Sequence, residues 1–472
     1  MQLRQWQLEC VNRALEHFHA NKRHFLCLAT PGAGKTIMAA EIAAELFEQD
    51  LIDFVLCFSP SVNISQGIQN TFSHRLECRF DGVIGAVGCS YTYQGMLSFK
   101  DDFWQLLKRN RVLVIFDEIH HCSGSTLEDA NAWGEEILLN IQDHAKYTLA
   151  LTGTPWRSDQ APIVLSRYLD PDSKIQCDYV YGLREAVRDG VCRNPKIVLI
   201  DNEELLVTNQ DNEIQTFSSF DDLFKGSSIS YQSVVKNNLA IHHILGLAID
   251  KLGSIRQLNP NAAGLVVASS IEHASHILKI LKDTFHQTAT IVTYQEANPS
   301  DIINEFRHDN TQWIVSVGMV SEGTDIPRLQ VCCHLSRVKT ELYFRQILGR
   351  ILRTTRALDQ QAWLFMFAEP KLVVFAHRIE LELPDNHVVM RESKPSGGME
   401  LTISNYEKKP SHLPNQSRSF TLSVGDIFDK KQTNAILNRT TEDVQFTSSI
   451  NLSIEILGRF REKVISTFDS PF

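Results

Sequence analysis

The 472-residue chain has ten cysteines but no Cys-x-x-Cys pair, and more acidic than basic side chains. It also has no apolar run of about 18 residues, the length that reads as a membrane span. Each lack excludes something. Without clustered cysteines there is no local signature of a zinc knuckle or a redox pair, so structural zinc is not expected, and adjacent Cys332 and Cys333 read as core thiols. Without a long apolar run, no membrane-crossing helix is expected. The opening MQLRQWQLEC is too polar for the apolar centre of a signal peptide, and scattered cysteines suit a reducing compartment, so the expected location is cytoplasmic. The count of 46 Lys+Arg against 56 Asp+Glu gives a formal charge of −10, the reverse of the basic stripe common in nucleic-acid proteins.

What is present is ordinary globular composition, with 43% hydrophobic and 22% charged residues, which excludes wholesale disorder. At about 150 residues per domain the length accommodates about three domains. Short apolar runs alternate with helical patterns: HFLCLAT (24–30), FVLCFSP (54–60), RVLVIFD (111–117) and YTLALTG (147–153). A second series follows, with GLVVASS (264–270), TATIVTY (288–294), WIVSVGM (313–319), LQVCCHLS (329–336) and QAWLFMFA (361–368). Continuous apolar strands separated by helices predict parallel sheets covered on both faces. The expected division is an α/β domain over 1–195, a polar linker or small insertion over 196–245, a second α/β domain over 246–370 and an extension over 371–472. Within that extension, 393–418 reads as loop, and the apolar stretch SINLSIEILGRFREKVIST near the end is expected as a helix packed on the body.

The strongest local signal is ATPGAGKT, residues 29–36, between a strand and a helix. Backbone N–H groups of such a loop cradle phosphates; Lys35 would neutralise β/γ charge and Thr36 would hold Mg²⁺, with Gly32 and Gly34 allowing the backbone its close approach. Ala29 stands where the full pattern has glycine. About eighty residues on, Asp117 closes the apolar run RVLVIFD and Glu118 follows it. Carboxylates at a strand's carboxyl end project into the crevice where open α/β sheets bind ligands. There Asp117 suits Mg²⁺ and Glu118 the attacking water. Gln346, Arg350 and Arg353 recur at i, i+4 and i+7, one face of a helix, from which a guanidinium can meet a γ-phosphate.

These segments, with LTGTPWR (151–157), VSEGTDIP (320–327) and YFRQILGRILR (343–353), resemble in order the motifs of superfamily 2 DEAD/DEAH-box helicases and translocases. The resemblance is nearest the XPB, RadD and type III restriction-motor branch and covers about residues 1–370. It implies two tandem RecA-like, P-loop motor domains, with ATP and Mg²⁺ as cofactors. It implies that His120, Thr152 and Thr154 couple hydrolysis to nucleic-acid grip, that Gly323 and Asp325 lie near the nucleotide, and that Gln7, in LRQWQ, can pair with an adenine edge. Nucleic acid would lie across both domains, touching Ser59, Gln66, Thr92, Ser269 and Ser270. For Ser269 and Ser270 plain helix capping is an equal alternative, and Gln66 and Thr92 are similarly balanced.

The implied function is an ATP-dependent helicase or translocase, on DNA by analogy of motif wording, with a nucleic-acid-gated ATPase that unwinds nothing, or an RNA-dependent ATPase, as alternatives. Neutral donors and backbone amides contact phosphates without a basic surface. The charge of −10 therefore predicts weak indiscriminate binding and a recruiting protein partner. A RadD-like zinc module would need clustered cysteines beyond Cys333, the last in the chain, and no nuclease centre is evident.

Overall fold

In the first half of the chain the apolar runs become strands β1 (His24–Ala29), β2 (Phe54–Ser59), β3 (Gly88–Thr92), β4 (Val112–Asp117) and β5 (Tyr147–Thr152). A hairpin of β6 (Arg167–Leu169) and β7 (Lys174–Gln176) precedes β8 (Tyr179–Tyr181). Six of these form a wholly parallel sheet in the order β3-β2-β4-β5-β1-β8. Strand β4 shows why its sequence is continuously apolar. Leu113 and Ile115 join one core, while Val112, Val114 and Phe116 join another on the opposite face. The computed structural model describes residues 2–154, 157, 161–169, 174–208, 213–296, 298–318, 326–355, 361–381 and 453–466.

The second sheet is built from β9 (Asn194–Asn202), β12 (Ala263–Ala268), β13 (Ala289–Val292), β14 (Trp313–Ser316), β15 (Leu329–Leu335), β16 (Gln361–Phe367) and β18 (Phe460–Ser466), in the order β13-β14-β12-β15-β16-β9-β18. All its pairings are parallel except β18 against β9. Beside it, β10 (Leu205–Thr208), β11 (Ile214–Phe217) and β17 (Ser453–Ile456) form a small antiparallel sheet.

Two sequence expectations change here. Residues 196–245 do not form a linker: β9 lies inside the second sheet, and helices Phe220–Gly226, Tyr231–Val235 and Asn238–Leu258 follow it. The apolar run KIVLI (196–200) carried that signal, and β9 starts within the range assigned to the first domain. Within the apolar stretch near the C-terminus, the described residues 453–466 form a pair of strands, not a helix. Its Ile454 pairs with Val207 and its Val464 with Val198, and the turn between them is tied down where Asn202 donates to the Gly458 carbonyl at 2.8 Å.

The N-terminal helix Gln5–His19 packs through Trp6, Cys10, Val11, Ala14 and Phe18, a helical stripe. Trp6 is buried and stacks on Tyr181 at 4.7 Å between ring centroids. The domains meet through Val191–Arg193. The Arg193 N–H donates to the Leu352 carbonyl at 2.7 Å. The fully buried Arg193 guanidinium donates to the carbonyls of Leu329, Pro327 and Ile351 at 2.6, 3.0 and 3.3 Å.

Candidate functional site

The loop after β1 leads into helix Lys35–Glu48, whose cap Gly34 has φ +97°, with Gly32 at +82°. These left-handed values suit glycine, which has no β-carbon to clash. The helix therefore opens on the cleft with unpaired N–H groups and the positive end of its dipole, the arrangement that binds phosphate. Lys35 is buried, donating to the Ala29 carbonyl at 3.2 Å and lying 3.1 Å from Glu118 Oε1. Burial works to lower its pKa, but the carboxylates of Glu118 and Asp117 prevail and hold it above the ordinary lysine value.

At the end of β4 the two carboxylates are driven apart. Burial and the adjacent Glu118 charge push Asp117 up to about 7, and its Oδ1 is a buried acceptor with no partner among the described residues. Glu118 goes the other way. Burial opposes its ionisation, yet the Lys35 charge and bonds from His120 and Gly153 hold it well below the usual carboxylate range. Its Oε2 accepts from the Gly153 N–H at 3.1 Å. Its backbone adopts φ +53°, uncommon outside glycine and asparagine. Two neighbouring acids with separated protonation preferences can serve two roles.

His120 Nδ1 lies 2.9 Å from Thr152 Oγ1 and 3.5 Å from Thr154 Oγ1, and 3.3 Å from Glu118 Oε2. Thr152 in turn donates to the Thr154 carbonyl at 2.9 Å. The residues expected as couplers thus form one buried network around Glu118. Arg157 donates to the His120 carbonyl at 2.6 Å.

A cleft of about 390 Å³ is lined from one side by Lys35, Thr36, Asp117 and Glu118, and from the other by Gln346, Arg350 and Arg353. Gly32 and Gly34 line it as well. The domains touch here: a β-carbon built on Gly32 would lie 3.1 Å from Arg353 Cγ, and one on Gly349 would lie 2.9 Å from Pro31 Cβ. Arg345, off the cleft face, pairs with Glu341 at 3.0 Å.

Other expected residues sit differently. Gln7 does not line the cleft. Its amide accepts from the Arg4 N–H at 2.8 Å and donates to the Gly34 carbonyl at 2.9 Å, bracing the phosphate loop. Arg4, one turn earlier and not singled out by sequence reasoning, lines the cleft and donates to the Ala33 carbonyl at 2.7 Å. Ser59 is fully buried with its hydroxyl near the Ser61 and Tyr91 carbonyls, at 3.3 and 3.4 Å, so the surface contact expected of it is not where the fold puts it. Thr92 and Ser270 are helix caps, accepting from the Gly95 and His273 N–H groups at 3.0 and 3.2 Å. Ser269 Oγ lies 2.9 Å from His273 Nδ1. Gln66 is exposed, donating to Gln69 and Asn70 on its own helix. Gly323 and Asp325 lie outside the described residues. All ten cysteines are free thiols, and no helix among the described residues is long and apolar enough to cross a membrane.

Residues 1–157 match the family described as type III restriction enzyme, res subunit, and residues 247–355 match the helicase conserved C-terminal domain. An uncharacterized protein of Mycobacterium leprae is 31% identical over 86% of this chain, which spans 69% of that relative's length. A protein of Sulfurisphaera tokodaii named DNA 3'-5' translocase XPB2 is 26% identical over 75% of this chain and 79% of its own. The fold is similar to a fragment of a type I restriction enzyme HsdR subunit from Vibrio vulnificus, with TM-score 0.54 and 16% identity, covering 79% of this chain and 65% of that one. With both family matches falling on the two sheets that form the cleft, the chain belongs to the superfamily 2 helicases, ATP-hydrolysing enzymes, on the branch of XPB and the restriction motors.

Proposed function

We propose that the chain is an ATP-driven DNA helicase or translocase in which hydrolysis is coupled to closure of two motor domains. The observation that supports this best is the shared cleft, where Lys35, Thr36, Asp117 and Glu118 of one sheet face Gln346, Arg350 and Arg353 of the other. Lys35 and the helix N-terminus bind the phosphates of ATP, and Glu118, ionised and aimed by Gly153, orients the attacking water. Arg350 and Arg353 meet the charge that develops on the transferred phosphoryl group, so the site is complete only when the domains are together. Asp117 Oδ1, which has no partner among the described residues, and Thr36, which lines the same cleft, fit Mg²⁺ and would hold it. When bound, that ion neutralises charge on the phosphate oxygens. His120, Thr152 and Thr154 pass the state of Glu118 toward the neighbouring loops.

The name of the Sulfurisphaera relative favours DNA over RNA. Asymmetry of charge favours a recruiting partner, and ten free thiols favour a reducing, cytoplasmic workplace. The first motor domain ends at Val191–Arg193, and the second takes in both β9 and the C-terminal strands.

The test is ATPase rate against single-stranded, duplex and forked DNA and against RNA, with strand displacement measured on the forked substrates. Stimulation by DNA is expected. Stimulation by RNA alone would overturn the substrate, and stimulation without displacement or translocation would leave a gated switch.

A further inference from the structure

Thr92 ends β3 and was expected to touch nucleic acid, but its hydroxyl caps the short helix Tyr93–Met96. The next side chain is Tyr93, fully buried, with its ring stacked on Trp133 at 5.6 Å. Its hydroxyl donates to the Asp117 carbonyl at 2.8 Å. Strand β3 lies at the sheet edge and β4 is two places in, so this bond passes over the end of β2.

The accepting carbonyl belongs to the peptide that joins Asp117 to Glu118. Glu118 leaves that peptide at φ +53°, a conformation that persists only where surrounding contacts over-determine it. On the side-chain end, Lys35 and the Gly153 N–H hold the carboxylate. On the backbone end, the Tyr93 hydroxyl holds the carbonyl. Rotation of this one peptide would turn the Glu118 carboxylate away from Lys35, Gly153, His120 and Thr152 together. Burial drives the phenol pKa far above its ordinary value, so the hydroxyl stays protonated and remains a donor.

We propose that Tyr93 is a positioning residue for hydrolysis, fixing the Asp117–Glu118 peptide and linking it to the end of β3 on the nucleic-acid side. This rests on the motor function proposed above. A displacement of the Thr92–Tyr93 junction by a bound strand is delivered through one hydrogen bond to the residue that aims the water. Tyr93 is fully buried behind the cleft lining and would act only through Glu118.

The test is Tyr93→Phe in the full chain, which removes the oxygen and keeps the ring. ATPase is measured with and without DNA, together with affinity for a fluorescent ATP analogue and the thermal midpoint. The DNA-stimulated kcat is expected to fall about tenfold or more, the scale of a displaced catalytic group, with KM for ATP and analogue affinity held within about twofold. Trp133→Phe, which changes the packing but keeps the hydroxyl, is expected to retain wild-type kcat within about twofold. A Tyr93→Phe enzyme with wild-type kcat overturns the role. So does a loss shared equally by Trp133→Phe, or one that tracks lost nucleotide affinity or a lowered melting midpoint. A wild-type chain with no nucleic-acid-stimulated turnover overturns the motor reading, and this role with it.

Discussion

Lys35 Nζ lies 3.1 Å from Glu118 Oε1, so the lysine of the phosphate loop is paired with the carboxylate proposed to orient water. On the function proposed above, a γ-phosphate competes with Glu118 for the lysine, and its binding would free the carboxylate. Replacing Glu118 with Gln removes the competing anion but also the base. Glu118→Gln is expected to bind MgATP at least as tightly as wild type while kcat falls by about 10²-fold or more. Lys35→Ala is expected to lose both binding and turnover. Equilibrium titration with a fluorescent ATP analogue, beside steady-state ATPase, checks both; wild-type turnover in Glu118→Gln would refute the assignment.

The proposed closure can be tested at Gly349 and Pro31. A β-carbon on Gly349 would sit 2.9 Å from Pro31 Cβ, closer than carbon atoms tolerate, so the helix of Arg350 can approach the phosphate loop only with glycine there. Gly349→Ala is expected to lower kcat about tenfold with little change in nucleotide affinity, because the misplaced groups belong to the second domain alone. Arg353→Ala should be more severe, about 10³-fold in kcat, the lower end for loss of an arginine finger. Intact hydrolysis in Arg353→Ala would end the two-domain closure argument.

The residues legible in the sequence are those whose chemistry depends on side-chain type at a fixed spacing. Lys35, Thr36, Asp117, Glu118 and the Gln346-Arg350-Arg353 face are brought to one cleft as their motifs imply. What was not legible is tertiary. Strand β18 pairs with β9 some 260 positions earlier, and nothing local in FREKVIS distinguishes a strand from a helix until that partner is known. Ser59 looks like a surface hydroxyl beside Pro60 but is sealed between two neighbouring strands. Gln7 braces the Gly34 carbonyl, a contact that only the packed helix shows.

His334 gives the second domain an acid limit. It lies on β15 with no exposed surface, and neither ring nitrogen has a partner among the described residues. Burial lowers its pKa to about 4, and His273 is lowered to about 4 as well. A histidine whose folded pKa lies below its unfolded value contributes stability that is complete above pH of about 6.5 and lost as pH falls toward the folded pKa. For His334 that contribution is on the order of 3 kcal/mol at most. Thermal midpoints of wild type should therefore drop between about pH 6.5 and 4. His334→Leu should flatten part of that drop and leave stability at pH 7.5 equal or higher, since it removes unpaired polar atoms from the core. An unchanged pH profile in His334→Leu would show that the ring is hydrogen-bonded in solution.

The net charge of −10 leads to the last prediction, which concerns DNA capture. Non-specific affinity comes chiefly from cations that release counterions from phosphate, and typical values at physiological salt are about 10⁻⁴ to 10⁻⁶ M. Candidate contacts here are a neutral amide and hydroxyls, and Thr92 and Ser270 already spend theirs on helix caps. Phosphates would then be met by backbone N–H groups, which release few counterions, so the slope of log affinity against log salt should be shallow. Random duplex is expected to bind in the micromolar range or weaker at 0.15 M salt, with ATPase half-saturation at similarly high DNA concentration. Fluorescence anisotropy across a salt series checks both affinity and slope. Sub-nanomolar binding to random duplex at that salt would remove the need for a recruiting partner, while tight binding confined to a forked or gapped structure would identify that structure as the recruiter.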